Sequence, residues 1–313
     1  MKDPARQGVL LAPGTLLERL DRVTQMALES GALFPIPTAY TFIEDSGVRF
    51  FVRVLTSLAR KDEDRKLREI STGQGRPVNP FLPYEQALFV ADISGSHAAI
   101  LNKFNVLERH LLLVTREYED QENLLTLADF EALWACLFEY DSLGFYNGGE
   151  AAGASQRHKH LQVVPLPLAP EGHAVPIEPL LGQIRSASPV VRVPGLPFMH
   201  AFCRLNEEIT ASPIRAAMET SELYGQMLRA VNMAPPMPDA ATRQSGPYCL
   251  LVTRKWMLLA PRSREFFEGI SINSLGYAGA LLVRNEEQIG LLKKHGPMNA
   301  LVRAGLPWES FPG

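Results

Sequence analysis

Cysteine is scarce in this chain, with three in 313 residues. Cys136, Cys203 and Cys249 lie far apart and form no C-x-x-C pair, which argues against a thiolate zinc site and against a disulfide scaffold. Long apolar runs are missing as well. No stretch approaches the roughly 20 residues of a membrane span, and the opening MKDPARQGVLLAPG lacks the apolar core of a signal peptide. The expected compartment is therefore a reducing cytoplasm, with no membrane partner. Nor does one sign of charge dominate: 31 Lys and Arg against 34 Asp and Glu leave a net charge of −3. The cations are spread along the chain, so no basic face for nucleic acid is expected, and any phosphate site has to be a local pocket.

What is present is ordinary for a globular protein, with 46% hydrophobic and 21% charged residues, enough for one large domain or two modest ones. Thr15 is placed to cap a helix in which Leu16, Leu17, Leu20, Val23, Met26 and Ala27 keep helical spacing, with Gly31 ending it. VRFFVRVL (48–55) has strand character. Residues 62–80 are polar with Gly and Pro, and a mobile loop is expected there. ALFVADI (87–93) and HLLLVT (110–115) are expected as neighbouring strands, separated by a loop carrying Asn102, Lys103 and Phe104.

Thr126 and Asp129 have capping-box spacing for a helix bearing Phe130, Leu133, Trp134, Leu137 and Phe138, closed by Gly144. FYNGG through VVPLPL reads as strand, glycine-rich turn, strand. The Pro-rich stretch 169–197 is expected to loop across a surface. Ser212-Pro213 opens a further helix, 234–246 is a second loop, 248–262 is strand-like, and 285–296 is a helix between Asn285 and Gly296. LLVTR occurs at both 112–116 and 250–254, which leaves chance and a duplicated half both open. Helices do not alternate regularly with strands, so a doubly wound parallel sheet is disfavoured and a mostly antiparallel α+β architecture is expected.

The chemistry concentrates in 147–162. On a strand, side chains two apart face the same way. His158, His160 and Gln162 therefore share one face, and Arg157, Lys159 and Leu161 the other. Upstream, NGG and GAS supply small residues that let backbone N–H groups approach a ligand. A neutral imidazole, with an ordinary pKa of about 6.5, is a competent nucleophile near neutral pH. Beside amide donors it suits attack on a phosphate. On residue chemistry alone three readings stay open: a nucleophile, a metal pair of the H-x-H kind, and structural histidines. The other histidines (His97, His110, His173, His200, His295) show no ligand spacing.

N-G-G-x5-G-A-S-Q-x-H-x-H-x-Q, spanning 147–162, resembles the active-site strand of the histidine-triad superfamily, transferase branch. More closely it is similar to the diadenosine tetraphosphate phosphorylases, also called ATP adenylyltransferases. NPFLPYEQALFVADI (79–93), LNKFNV (101–106) and HLLLVT (110–115) resemble that family's N-terminal half. PYCLLVTRKWMLLAPRS (247–263), SINSLGYAGALLV (271–283) and HGPMNALVRAGLP (295–307) resemble its C-terminal region. The resemblance implies an α+β fold: a histidine-triad-like antiparallel sheet with flanking helices in a catalytic domain over 1–200, and a C-terminal subdomain over 201–313 that closes on the nucleotide.

It further implies phosphorolysis of diadenosine tetraphosphate to ATP and ADP, reversibly, through an adenylyl-histidine. His160 aligns with the nucleophile, and His158 supports it from the strand backbone. Ser155 would bond the bridging oxygen or leaving phosphate, and Gln162 the α-phosphate. Asn147, Gly148 and the Gly153-Ala154 backbone would hold phosphate or ribose, with Asn102 and Lys103 near the nucleotide. Lys61, Arg254 and Lys255 are candidates for the distal phosphates, with a solvated face as the equal alternative. Gln162 stands where hydrolytic relatives carry a third histidine, which favours phosphate over water as acceptor. Lys159 and Leu161 depart from the H-P-H-G-Q strand of the uridylyltransferases. No tightly bound cofactor or metal is expected, though Mg²⁺ can travel with the substrate. The expected partners are diadenosine polyphosphates, ATP, ADP and orthophosphate, with the chain a monomer. Another nucleoside, sulfate as acceptor, or a non-catalytic nucleotide-polyphosphate sensor remain alternatives.

Overall fold

The computed structural model describes residues 8–56, 79–182, 184, 188–234 and 242–308. The loop expected over 62–80 and the candidate Lys61 thus lie outside the described residues, apart from Asn79 and Pro80; so does most of the loop expected over 234–246.

Eight strands form one antiparallel sheet in the order β3-β4-β5-β7-β6-β9-β10-β8. They are β3 (Phe89–Asp92), β4 (His97–Leu101), β5 (Leu111–Thr115), β6 (Ser142–Gly148), β7 (His160–Pro165), β8 (Ala201–Arg204), β9 (Tyr248–Val252) and β10 (Trp256–Pro261). A second sheet joins β1 (Thr38–Asp45) antiparallel to β2 (Val48–Leu55), and β2 parallel to β13 (Ala280–Val283). Two short strands, β11 (Phe266–Phe267) and β12 (Ile270–Ser271), form a small hairpin.

The helices are α1 (Leu16–Glu29), α2 (Leu127–Leu137), α3 (Glu178–Leu181), α4 (Pro213–Ala230), α5 (Ser274–Tyr277), α6 (Glu286–His295) and α7 (Pro297–Ala304). Their ends follow the cap chemistry in the sequence. Thr126 and Asp129 close a capping box at α2, Ser212 Oγ accepts the Arg215 amide at α4, and Asn285 caps α6. α1 begins after Thr15 and ends just before Gly31, whose φ is 70°.

The large sheet has a core on each face. One face carries Leu113, Leu161, Val163, Tyr146, Leu250 and Leu259 under α1, α2 and α4. The other carries Leu143, Phe145, Val164, Leu251 and Leu258, covered by the small sheet and by α5 to α7. Because β7 alternates, Leu161 and Val163 enter the first core while His160 and Gln162 turn to the opposite side.

Several expectations change. β3 and β5 are not neighbours; β4, HAAIL, lies between them. All five of its residues are buried, so it shows no polar–apolar alternation to read as a strand. Residues 248–262 are not one strand but the β9–β10 hairpin, turning at 253–255. The Pro-rich 169–197 does not merely cross a surface: Val175, Ile177, Leu181, Val193 and Leu196 fill the second core. A boundary at residue 200 does not divide the sheet, since β9 pairs with β6 from Gly144↔Val252 to Gly148↔Tyr248. The two LLVTR copies fall on β5 and β9, which flank the β6–β7 pair on either side.

Gly144 does not close α2, which ends at Leu137; it lies within β6, where the helix crosses. A Cβ there would come 2.5 Å from the Leu133 Cδ1, so glycine permits the close approach of α2. Gly144→Ala is expected to overpack this contact and cost about 1–3 kcal/mol, measured as a lower urea midpoint with an unchanged m-value.

Candidate active site

A cavity of about 830 Å³ opens over the β4-β5-β7 part of the sheet, on the face of His160 and Gln162. Its apolar wall includes Phe81, Leu88, Ile100 and Leu112, and its opposite side is closed by Asn273, Leu275 and Leu281. The strand alternation expected for 157–162 holds where it matters. His160 and Gln162 line the cavity, while Lys159 is fully buried on the other face.

His160, only 4% exposed, is held at two points. Its backbone N–H donates to Gln121 Oε1 at 2.8 Å, and its Nδ1 is 2.8 Å from the His158 carbonyl oxygen. A carbonyl only accepts, so Nδ1 carries the proton and the Nε2 lone pair is left for the cavity. Burial, reinforced by His158, pushes the His160 imidazole down to about 4 even though the bond to the His158 carbonyl favours the charged form. At neutral pH the ring is therefore uncharged. Its edge meets Phe81, with centroids 5.2 Å apart.

His158 does not line the cavity. Its Nε2 donates to the Thr115 carbonyl at 2.8 Å, and its Nδ1 lies 3.0 Å from Asn79 Nδ2, which fixes the opposite tautomer. Burial lowers its pKa too. Among the described residues no group of three or more His, Cys, Asp or Glu is arranged to hold a metal. Two histidines with separate backbone partners are a poor chelating pair.

Gln162 is oriented by a residue that sequence reading passed over. Asn102 Nδ2 is 3.2 Å from His110 Nδ1, and His110 Nε2 is 2.8 Å from Gln162 Oε1. Burial drives His110 to about 4, so it is neutral with a single N–H. The donor of Asn102 assigns that proton to Nε2, making Gln162 Oε1 the acceptor and turning its NH₂ donors to the cavity. His110 has no spacing motif, and only the pairing of β5 with β7 brings it to Gln162.

Ser155, Asn147, Asn102 and Lys103 line the cavity as expected. Asn147 Oδ1 accepts from both the backbone and the hydroxyl of Ser274, at 2.9 and 2.6 Å, which docks the start of α5 against β6. Lys103 is paired with Glu85 at 2.5 Å. Gly148 ends β6, and its carbonyl accepts from Gln244. Gly153 has φ 92°, and a Cβ there would meet the Asn273 Cβ at 2.7 Å, so only glycine fits. The amides of Gly153 and Ala154 are consumed within the turn, by the carbonyls of Glu150 and Gly149. Gly153, Ser155 and Gln156 of this turn line the cavity.

Arg254 and Lys255 are not brought to the cavity. They lie at the β9–β10 turn, where Arg254 Nε donates to the Leu137 carbonyl. Asn147 opposes Cys249 at the other end of β9, five residues away, or about 17 Å at roughly 3.3 Å per residue. Arg53 on β2 lines the cavity instead. Its guanidinium donates to Thr38 Oγ1 at 3.1 Å, but its buried Nε has no partner among the described residues. Burial lowers its pKa, with Glu108 opposing. It was overlooked because VRFFVRVL reads as a strand and nothing more.

Residues 6–183 match the Ap4A phosphorylase N-terminal domain, and residues 194–307 match the ATP adenylyltransferase C-terminal domain. The chain is 28% identical over 291 residues to diadenosine 5',5'''-P1,P4-tetraphosphate phosphorylase 2 of Saccharomyces cerevisiae, spanning 83% of this chain and 84% of that protein. It is 25% identical over 325 residues to Protein APA1 of the same yeast, spanning 94% and 95%. The crystal structure of yeast Ap4A phosphorylase Apa2 in complex with AMP aligns with a TM-score of 0.75 at 25% identity, covering 95% of this chain and 98% of that one. With more than half its length matched by the first of these domains, the chain belongs to the Ap4A phosphorylase family.

Proposed function

We propose that this chain cleaves diadenosine tetraphosphate with orthophosphate to ATP and ADP, through an adenylyl group carried on His160 Nε2. The observation that supports it best is the state of that imidazole: neutral, with Nδ1–H tied to the His158 carbonyl and Nε2 at the wall of a cavity large enough for a nucleotide. One yeast relative carries the phosphorylase activity in its name, and yeast Ap4A phosphorylase Apa2 was crystallised with AMP.

In the first step the Nε2 lone pair attacks an α-phosphorus in line with the bridge to the β-phosphate. The N–P bond forms, the P–O bridge bond breaks, and ATP leaves. The imidazole becomes cationic, and the His158 carbonyl stabilises that charge through Nδ1–H. In the second step an oxygen of orthophosphate attacks the same phosphorus, the N–P bond breaks, and ADP leaves with the neutral ring restored. Gln162, aimed by His110, donates its NH₂ to a non-bridging α-oxygen, and Ser155 bonds the bridging oxygen. In reverse, ADP adenylylates the histidine and ATP accepts the group. Mg²⁺ is assigned to the substrate, screening its charges, rather than to a protein site. Arg53, whose buried Nε has no partner among the described residues, meets the distal phosphates.

Incubation with α-³²P-labelled ADP or ATP, followed by denaturing electrophoresis, tests this directly. Wild type should take up an acid-labile, alkali-stable label that phosphate discharges as ADP, and His160→Ala should take up none, with turnover down roughly 10³-fold or more. Dinucleotide binding without label or turnover would instead indicate a sensor.

The pH dependence follows from the direction of the shifts. His160 protonates only near 4, so kcat/KM should stay level from pH 8 to 6 and fall as its pKa is approached. In the unfolded chain the same rings titrate near 6.5. Between these values the unfolded state binds more protons, so stability should rise with pH from about 4 to about 6.5. His110 and His200, both held at about 4 by burial, act in the same sense. Urea midpoints across this window measure the slope. Arg53→Gln removes a charge-assisted contact and should raise KM for the dinucleotide about 10- to 100-fold with little change in kcat; an unchanged KM would remove Arg53 from the phosphate site.

A further inference from the structure

The ladder between β6 and β7 stops at Phe145↔Gln162. On its other flank β7 stays paired through Val114↔His160, and β6 stays paired with β9 as far as Gly148. Continuing the β6–β7 register would set Asn147 opposite His160, but no backbone bond joins them. Their facing polar groups still need partners, since unpaired buried backbone groups are costly.

The side chain of Gln121 supplies them. Its Oε1 accepts the His160 N–H at 2.8 Å. Its Nε2 donates to the Asn147 carbonyl at 2.9 Å and to the His160 carbonyl at 3.2 Å. A primary amide thus stands between the two strands as a surrogate peptide group, with one acceptor and two donors on a single plane. The amide is itself fixed. Gln121 is 2% exposed, its N–H donates to the Arg157 carbonyl at 2.7 Å, and its own carbonyl accepts from the Tyr146 hydroxyl. The neighbouring Asp120 bridges His158, and the Lys159 N–H donates to the Glu119 carbonyl at 2.8 Å. Segment 119–121 therefore takes the place that β6 vacates beside 157–160.

We propose that Gln121 is a positioning residue for the nucleophile, setting the separation of Asn147 and His160 and the backbone angle from which the His160 ring is aimed. This rests on the reading of His160 as the adenylyl carrier. Gln121 does not line the cavity, so its effect passes through His160 and belongs in the chemical step. A displacement of about 1 Å in a reacting group can cost 10²-fold.

Two substitutions separate positioning from mere packing. Gln121→Leu keeps the bulk and loses every bond. Gln121→Glu keeps an acceptor for the His160 N–H but turns a second oxygen toward the Asn147 and His160 carbonyls. That repulsion is relieved when the introduced carboxyl is protonated, and burial raises its pKa. The titratable groups around it are common to the variant and the wild type. His158 and His160 are lowered, Tyr146 is raised, and Asp120 and Glu122 are paired with Arg157 and Arg243.

The experiment is single-turnover transfer of label from α-³²P-labelled ADP to the full chain. Both variants are compared with wild type by burst amplitude, rate per labelled site and KM, from pH 5 to 8. The expected result is a rate per site down about 10²-fold with KM within a few-fold, and a Gln121→Glu rate that recovers as pH falls where wild type stays level. A packing role would lower the thermal midpoint and the burst amplitude while sparing the rate per site, and would overturn the proposal. So would a Gln121→Glu profile parallel to wild type, which remains informative if Gln121→Leu does not fold. Absence of label on wild type would instead sink the His160 reading, and the inference with it.

Discussion

A buried ammonium holds the strand that carries His160 in place. Lys159 is fully buried, and its Nζ reaches Asp129 at 2.7 Å, the Leu124 carbonyl at 3.0 Å and Glu119 at 3.3 Å. Asp129 is equally buried and serves three elements at once: it closes the capping box of α2, holds His97 on β4 at 3.1 Å, and pairs with Lys159. Burial on its own would raise the Asp129 carboxyl, but Lys159 and His97 hold it well below the usual carboxylate range. Removing one member of such a pair strands a charge in the core at a cost of about 3–5 kcal/mol. A one-residue slip of 157–162 would bring Lys159 to the cavity and send His160 into the core, so this pair also specifies register.

From that anchor the site follows as a division of labour between two faces of one strand. The face carrying Lys159 and Leu161 bears the packing and the ion pair, and the face carrying His160 and Gln162 turns to the cavity. Each of these cavity-lining side chains is oriented from behind: His160 by the His158 carbonyl, Gln162 by His110 and Asn102, Asn147 by Ser274. Such a shell limits reorganisation when charge develops on a ring or a phosphate. Burial also keeps the imidazoles of His160 and His110 uncharged at neutral pH, a state exposed rings would only partly reach.

Arg262, a second buried cation, works in the same spirit without a carboxylate partner among the described residues. It donates to the carbonyls of Ala304, Ala152, Arg264 and Ile272 and to the Cys249 sulfur. It thereby ties the turn that precedes Ser155 to the C-terminal helices. The C-terminal region is thus integral to the site, through this guanidinium and through the pairing of β9 with β6.

Local sequence determined what depends on near neighbours. The caps at Thr126, Ser212 and Asn285 follow from side chains that reach amides two or three residues away. The separation of His160 and Gln162 from Lys159 and Leu161 follows from the period of a strand, and the motif over 147–162 was legible through its resemblance to the active-site strand of a known family. Tertiary structure decided whatever required distant segments to meet. β4 has no alternation because both its faces are covered, and Gly144 looked like a helix stop because its partner, Leu133, lies across a packing interface. His110, Arg53 and Gln121 carry no local pattern, since each acquires its role from a strand or turn folded against it. Arg254 and Lys255, promising as cations in a string, were carried to the far end of β9 by the turn of a hairpin. Spacing along a chain reports periodicity, but which groups share a cavity is set by pairing between strands that sequence keeps far apart.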